Sequence, residues 1–152
     1  MSRNFNSEYE GIVPFLKWAG GKRWLWPQLQ SLLQGVSFTR YVEPFLGSGA
    51  IYFALEPHTA LLNDANQELV ACYRAIKAAP TRVVAALECY AASHSDRFYY
   101  AVRDTLPEDR FERAARFLYL NRTCWNGLYR VNLRGEFNVP RGTKKPGLDA
   151  HG

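Results

Sequence analysis

The stretch Tyr41-Val42-Glu43-Pro44-Phe45-Leu46-Gly47-Ser48-Gly49-Ala50 decides how this chain is read. An apolar approach ends on an acid and a proline. Two glycines follow, one residue apart, and then the amphipathic run Ile51-Tyr52-Phe53-Ala54-Leu55. The pattern is a β-strand, a tight glycine turn and a helix start. In an open α/β sheet such a turn lies at the carboxyl end of a strand, where nucleotide-like ligands bind. Gly47 and Gly49 let the backbone approach a ligand with no Cβ in the way.

The loop narrows the class of ligand. A dinucleotide fingerprint needs a third glycine where this chain has Tyr52. A Walker loop needs Gly-Lys-Ser/Thr after four spacer residues, and none follows Gly47. The turn suits a nucleoside with a modest tail rather than a pyrophosphate. Downstream, Ala60-Leu61-Leu62-Asn63-Asp64 reads as a second strand ending in an acid, with Asp64 placed to accept hydrogen bonds from ribose hydroxyls. Taken alone, an ordinary glycine turn in an α/β core explains a Gly-x-Gly equally well.

Upstream, Pro14-Phe15-Leu16-Lys17-Trp18-Ala19-Gly20-Gly21-Lys22 breaks at a double glycine and delivers a lysine. Trp24, Leu25, Leu29, Leu32 and Leu33 continue at helical spacing. One reading is a surface loop before a helix, with Trp18 in the core. The other sets Trp18 against a flat ring and Lys22 against a ligand carboxylate. Further along, a helix is expected over Gln67–Ala78, with Leu69, Tyr73 and Ile76 inward. Pro80 stops it, and Thr81 can cap a next helix carrying Val83, Leu87, Tyr90 and Ala91. His94-Ser95-Asp96 reads as a loop and Phe98–Val102 as a short aromatic segment. Pro107 opens a helix from about Glu108 to Asn121, with Phe111, Ala114, Ala115 and Leu118 on one face.

At 152 residues, 47% apolar and 22% charged, the chain can bury a real core in one ordinary domain. Its formal charge of +5 is unevenly spread. From Arg122 to Lys145 the bases are Arg122, Arg130, Arg134, Arg141, Lys144 and Lys145, against the single acid Glu136, an excess as large as that of the whole chain. The same stretch interleaves asparagine and aromatics, with turn signals at Asn126-Gly127 and Arg134-Gly135, so a β-hairpin is expected. Arginine and asparagine pair bidentately with guanine and adenine. An exposed Trp125 could stack where a base has left the duplex. The plainer reading is a solvated basic hairpin with Trp125 in the core. Cys72, Cys89 and Cys124 form no Cys-x-x-Cys pair, which points to reduced thiols in a cytoplasmic protein. His58, His94 and His151 lack metal-ligand spacing, and no apolar run approaches a membrane span, so neither a metal nor a membrane is expected.

Three constellations now stand in order. They are Phe15-Leu16-Lys17-Trp18-Ala19-Gly20-Gly21-Lys22, then Glu43-Pro44-Phe45-Leu46-Gly47-Ser48-Gly49, then Leu120-Asn121-Arg122 through Asn126-Gly127-Leu128 to Gly135-Glu136-Phe137-Asn138-Val139-Pro140. This order resembles the Dam family (D12 class) of DNA adenine methyltransferases, from about Val13 to Pro146. The resemblance implies an α/β protein: a partial Rossmann-like class I methyltransferase fold with an inserted, mostly helical target-recognition subdomain and a β-hairpin. It implies S-adenosylmethionine as cofactor and double-stranded DNA as partner, with residues 1–79 as the cofactor-binding part, 80–146 as target recognition and 147–152 as a tail. Trp18, Lys22, Glu43, Phe45, Gly47, Gly49 and Asp64 match cofactor positions. Asn126, Leu128 and Arg130 match DNA-contacting positions, Trp125 stands where an aromatic is usual, and Lys17 faces DNA. Arg134 and Arg141 join them as bases of the hairpin. Thr143 stands where some relatives carry a base-reading arginine, which leaves the recognition sequence open.

The family's catalytic motif, Asp-Pro-Pro-Tyr, does not occur in these 152 residues; Asn138-Val139-Pro140-Arg141 lacks its second proline and aromatic. No catalytic residue is therefore assigned, and the chain by itself is expected not to turn over. Two readings follow. One is part of an adenine methyltransferase, of restriction-modification or other role, either a fragment or one completed by a second polypeptide carrying the catalytic half. The other is a non-catalytic DNA-binding remnant. A small-molecule methyltransferase would leave the basic hairpin unexplained.

Overall fold

The computed structural model describes residues 12–143. Lys144, Lys145, His151, Pro146 and both termini lie outside the described residues. The described chain forms two compact units, one of residues 12–15 and 20–64, the other of residues 16–19 and 65–143.

In the first unit a 3-10 turn over Lys22–Leu25 runs into α1 (Trp26–Leu32). The central stretch then makes β1 (Tyr41–Glu43), the glycine turn and α2 (Ala50–Leu55), and the chain returns through β2 (Ala60–Leu62). The strands pair in parallel, with Val42 opposite Leu61. This is the expected strand, turn and helix, and α2 supplies the crossover that parallel strands require. Leu46, Ala50 and Ile51 bury the turn's apolar side, and Trp26 anchors α1. Pairing continues beyond the strands: Asn63 N–H donates to Glu43 O at 2.9 Å, and Leu46 N–H to Asn63 O at 2.8 Å. Val42 and Leu61 remain 55% and 49% exposed, although parallel sheets are normally covered on both faces.

The second unit is helical. In α3 (Gln67–Ala78) the Asn66 side chain caps the start by accepting from Leu69 N–H. α4 (Pro80–Ala92) begins on its proline, whose fixed φ suits the first helical position, so Thr81 lies inside the helix and is not its cap. The stretch expected as a loop and an aromatic segment is instead α5 (Asp96–Asp104), capped by Ser95, whose hydroxyl accepts from Phe98 N–H at 3.1 Å. That cap, with Tyr99 and Val102 buried one turn apart, overrides the weak helical preference of consecutive aromatics. α6 (Arg110–Thr123) starts two residues later than expected because Asp109 is the cap, accepting from Phe111 and Glu112 N–H.

Both α3 and α4 pack along α6. The predicted face of Phe111, Ala114, Ala115 and Leu118 is buried, and so are Phe117, Tyr119, Leu120, Asn121 and Thr123. Tyr99, Val102, Tyr119, Leu120, Cys124 and Val139 form a core to which Leu87, Tyr90, Phe98, Leu128 and Phe137 add their edges. All three cysteines are free; Cys72 and Cys124 are buried and Cys89 is exposed. Burial pushes the Cys72 thiol up to about 12 and the Cys124 thiol up to about 11.

After α6 the chain goes out and back with its tip over Asn132–Gly135, but the described residues form no β-strand here, so the expected β-hairpin is not a regular ladder. Only two antiparallel bridges join the arms, Cys124 with Arg141 and Val131 with Phe137. Asn126 and Gly127 adopt left-handed φ of 55° and 66°, and that turn interrupts the ladder. The returning arm is fastened to the core where the Tyr99 hydroxyl donates to Val139 O at 2.9 Å. It then crosses the end of α6 at Gly142, where a Cβ would meet Cys124 O at 2.8 Å, so only glycine allows the crossing.

Candidate cofactor site and nucleic-acid interface

The first unit brings Lys22, Glu43, Phe45, Gly47, Gly49 and Asp64 together at the carboxyl ends of its two strands. Glu43 is a buried carboxylate held from two sides. The Tyr41 hydroxyl donates to Oε2 at 2.9 Å, and Lys22 Nζ lies 2.7 Å from Oε1. The lysine contact is an ion pair without hydrogen-bond alignment, so Oε1 makes no aligned hydrogen bond of its own. Burial first, and then Glu43, push the Tyr41 phenol well above its ordinary value. Lys22 also donates to Phe45 O, tying the acid to the loop. Gly47 and Gly49 take left-handed φ of 54° and 71°, and the Gly47 N–H donates to Asp64 Oδ2 at 2.8 Å. Asp64 thus braces the glycine turn, a role the sequence reading did not give it. The Phe45 ring stands 74% exposed on the same loop.

This chemistry suits some ligands and not others. The loop carries two carboxylates and one ammonium, and that ammonium is already neutralised by Glu43. A polyphosphate would meet two carboxylates beside a lysine that is already paired. Hydroxyls, an exocyclic amine or a sulfonium would find acceptors, and an exposed ring offers a stacking surface. These residues suit the ribose hydroxyls, exocyclic amine and cationic groups of S-adenosylmethionine, which has no phosphate, while the Lys22 ammonium expected to meet its carboxylate is paired with Glu43 instead.

Trp18 belongs to the second unit. Its indole stacks on Tyr129 at 5.6 Å between centroids and on Phe117 at 6.2 Å, completing an aromatic tier on α6. Lys17, beside it, is exposed. Its peptide is held by Asn121: the Lys17 N–H donates to Oδ1 at 2.9 Å and Nδ2 donates to Lys17 O at 2.7 Å.

The candidate DNA-contacting residues all lie in this second unit. Trp125 is 52% exposed, so it is not a core residue, and Asn126 beside it is exposed as well. Leu128 is half-buried against the core. Arg130 donates to Asn138 Oδ1 at 2.8 Å and to Asn138 O at 3.2 Å, which fixes its guanidinium across the two arms. Arg134 sits at the tip in an exposed pair with Glu136. Arg141 is paired with Asp96 at 2.7 Å, which fastens the returning arm to the start of α5. Beneath the arms runs a cleft of about 520 Å³, whose lining includes Arg116, Phe117, Leu128, Tyr129, Asn138 and Arg134. Among the described residues no group of three or more His, Cys, Asp or Glu could hold a metal, and no helix is long and apolar enough to cross a membrane.

Two residues that organise these sites had been given no role by the sequence reading. Tyr41 shares a strand face with Glu43, and the two-residue period could have revealed it. Asn121 is polar at the end of the buried run Phe117–Leu120, a position that asks for a partner; which partner is not visible locally, because Lys17 is 104 residues away.

Comparison with known proteins identifies a family. Residues 18–151 match the family model described as D12 class N6 adenine-specific DNA methyltransferase. The chain is 41% identical over 140 residues to the type II methyltransferase M1.LlaDCHI of Lactococcus lactis subsp. cremoris, covering 88% of this chain and 49% of that protein. It is 39% identical over 155 residues to the type II methyltransferase M.MjaIII of Methanocaldococcus jannaschii, covering 88% and 53%. It is 41% identical over 138 residues to the DNA adenine methylase of Escherichia coli K12, covering 87% and 49%. The chain thus spans about half the length of the curated relatives it matches. With this match across nearly the whole sequence, the chain belongs to the D12 class of N6 adenine-specific DNA methyltransferases.

Proposed function

We propose that this chain is the cofactor-binding and DNA-binding portion of a site-specific methyltransferase acting on the exocyclic amine of adenine. Residues 1–79 serve the cofactor within a Rossmann-like class I fold, and residues 80–146 form an inserted target-recognition subdomain. Lys22, Glu43, Phe45, Gly47, Gly49 and Asp64 hold S-adenosylmethionine, and Trp18 is assigned to the cofactor by the family resemblance alone. When bound, that cofactor supplies an electrophilic methyl group on sulfur. Glu43 and Asp64 accept hydrogen bonds, the glycines keep the backbone clear of the ligand, and Lys22 holds Glu43 against the loop. Double-stranded DNA meets Lys17, Trp125, Asn126, Leu128, Arg130, Arg134 and Arg141. Arg130, preset by Asn138, suits base reading, and Arg134 and Lys17 suit phosphate contact. Trp125 stacks in the space left by an extruded base.

Methylating adenine also needs acceptors for the two amine hydrogens, because the amine lone pair is delocalised into the ring. The Asp-Pro-Pro-Tyr motif that supplies them in the family is not among these 152 residues, so they bind without turning over.

The observation that carries this reading is the glycine turn with two left-handed residues, braced by Asp64 at the ends of two parallel strands. Calorimetry with S-adenosylmethionine tests it. Binding heat from the chain, and none from Asp64→Ala, is expected; no heat from the unaltered chain would leave a DNA-binding remnant as the better reading. Transfer of labelled methyl groups to duplex adenine by these residues alone would overturn the proposed inactivity.

A further inference from the structure

We infer that Asn121 is a positioning residue that joins Lys17 and the Trp125–Gly127 turn into a single DNA-facing element. The inference rests on the DNA-binding reading above and deepens it.

Asn121 is 3% exposed, near the end of α6. Its amide makes three hydrogen bonds, two to the distant Lys17 and one to Gly127, six residues on. It accepts from Lys17 N–H at 2.9 Å, donates to Lys17 O at 2.7 Å and donates to Gly127 O at 3.2 Å. The paired bonds to one peptide imitate a strand pairing and fix the backbone of Lys17 in direction as well as place. The third bond fixes the carbonyl that closes the turn carrying Trp125 and Asn126. In a site this dry, unmade bonds are costly, so the arrangement is held as a unit.

Gly127 makes the same connection sterically. A Cβ there would lie 2.6 Å from Lys17 Cβ and 2.7 Å from Lys17 Cδ. The Lys17 stem therefore lies against the turn that carries Trp125 and Asn126, held there by two independent devices, an amide bridge and a missing side chain. Packing alone does not ask for this amide. A leucine shares its branched outline and has the better helix propensity, but would leave Lys17 N–H and the Lys17 and Gly127 carbonyls without this partner. What the amide adds is a fixed relation between two segments that each carry a proposed DNA contact.

A double-mutant cycle separates positioning from support. Binding of a short fluorescein-labelled duplex of randomised sequence is measured by anisotropy across a range of salt. In the unaltered chain, Lys17→Ala is expected to weaken binding about fivefold and to lower the slope of log affinity against log salt by about 1. In an Asn121→Leu background, Lys17→Ala should leave both affinity and slope nearly unchanged. Gly127→Ala, which displaces the Lys17 stem and strains the turn at φ 66° while the Asn121 side chain is kept, should abolish the Lys17 effect in the same way. It carries the test if Asn121→Leu fails to fold by thermal scan. If Lys17→Ala has its full effect in both backgrounds, Asn121 only supports the fold; the inference is overturned and the DNA reading stands. If Lys17→Ala changes nothing in the unaltered chain, Lys17 does not face DNA and the inference falls with that part of the reading.

Discussion

The glycine turn of the first unit is held by a few polar contacts: Lys22 on Glu43 and Phe45, Tyr41 on Glu43, and Asp64 on Gly47. Around it large apolar residues stay open, with Val42, Phe45 and Leu61 all exposed. The basic arms of the second unit are held by packing. Tyr99 and Tyr119 are fully buried, and Tyr119 is ringed by Tyr90, Phe98 and His94 at 5.6 to 5.8 Å. The contrast suits what each region is proposed to do. A loop that closes on a small ligand needs polar groups in defined directions, whereas arms that grip a duplex need a stiff base.

The largest effect is expected at Tyr119. Tyr119→Ala removes a buried ring and should cost about 4 kcal/mol, read as a lowered urea midpoint. If calorimetry with S-adenosylmethionine is lost along with it, the two regions unfold together and the contrast is only one of composition. If cofactor binding survives, the regions are energetically separate.

Lys22→Met probes the other side. It leaves Glu43, whose side chain is 6% exposed, without its cation. Losing one partner of a buried pair is costly, but Lys22 itself is 31% exposed, so a loss of about 2 kcal/mol is expected. Cofactor affinity should fall while the salt slope of DNA binding stays unchanged. An altered slope would show that the lysine serves DNA and not the loop.

The smallest effect is one of pH, in the second unit. His94 Nδ1 lies 2.7 Å from the Tyr119 hydroxyl. Burial first, and then nearby Arg141, hold its imidazole below the ordinary value, with Asp96 opposing. The unfolded chain therefore binds more protons than the folded one over the interval between the depressed value and about 6.5. Stability contributed by neutral His94 is complete above that interval and is lost as pH falls through it. The urea midpoint should decline slightly over that range, and His94→Gln should flatten the decline. An unchanged slope in the variant would remove His94 from the account.

Much of this was legible along the chain because it depends on neighbours in sequence. The strand, glycine turn and helix start at Tyr41–Leu55, the limits of α3 and the inward face of α6 follow from backbone freedom at glycine and from a helical period. The clustering of arginines after Asn121 needed only counting. Two helix starts turn on a local competition that residue type alone does not settle: Ser95 caps α5 through a run of aromatics, and Pro80 starts α4 without Thr81.

The sequence by itself determined the class of turn, the sign and place of the charge and membership in a family, since these are properties of residue type and spacing. Tertiary structure alone decided that Asp64 braces Gly47, that Tyr41 and Lys22 share Glu43, that Trp18 stacks in the second unit, and that Asn121 reaches Lys17. The physical reason is reach. A hydrogen bond fixes direction to within an ångström, and nothing in local spacing says which of many polar groups, in one case 104 residues away, will arrive at that distance.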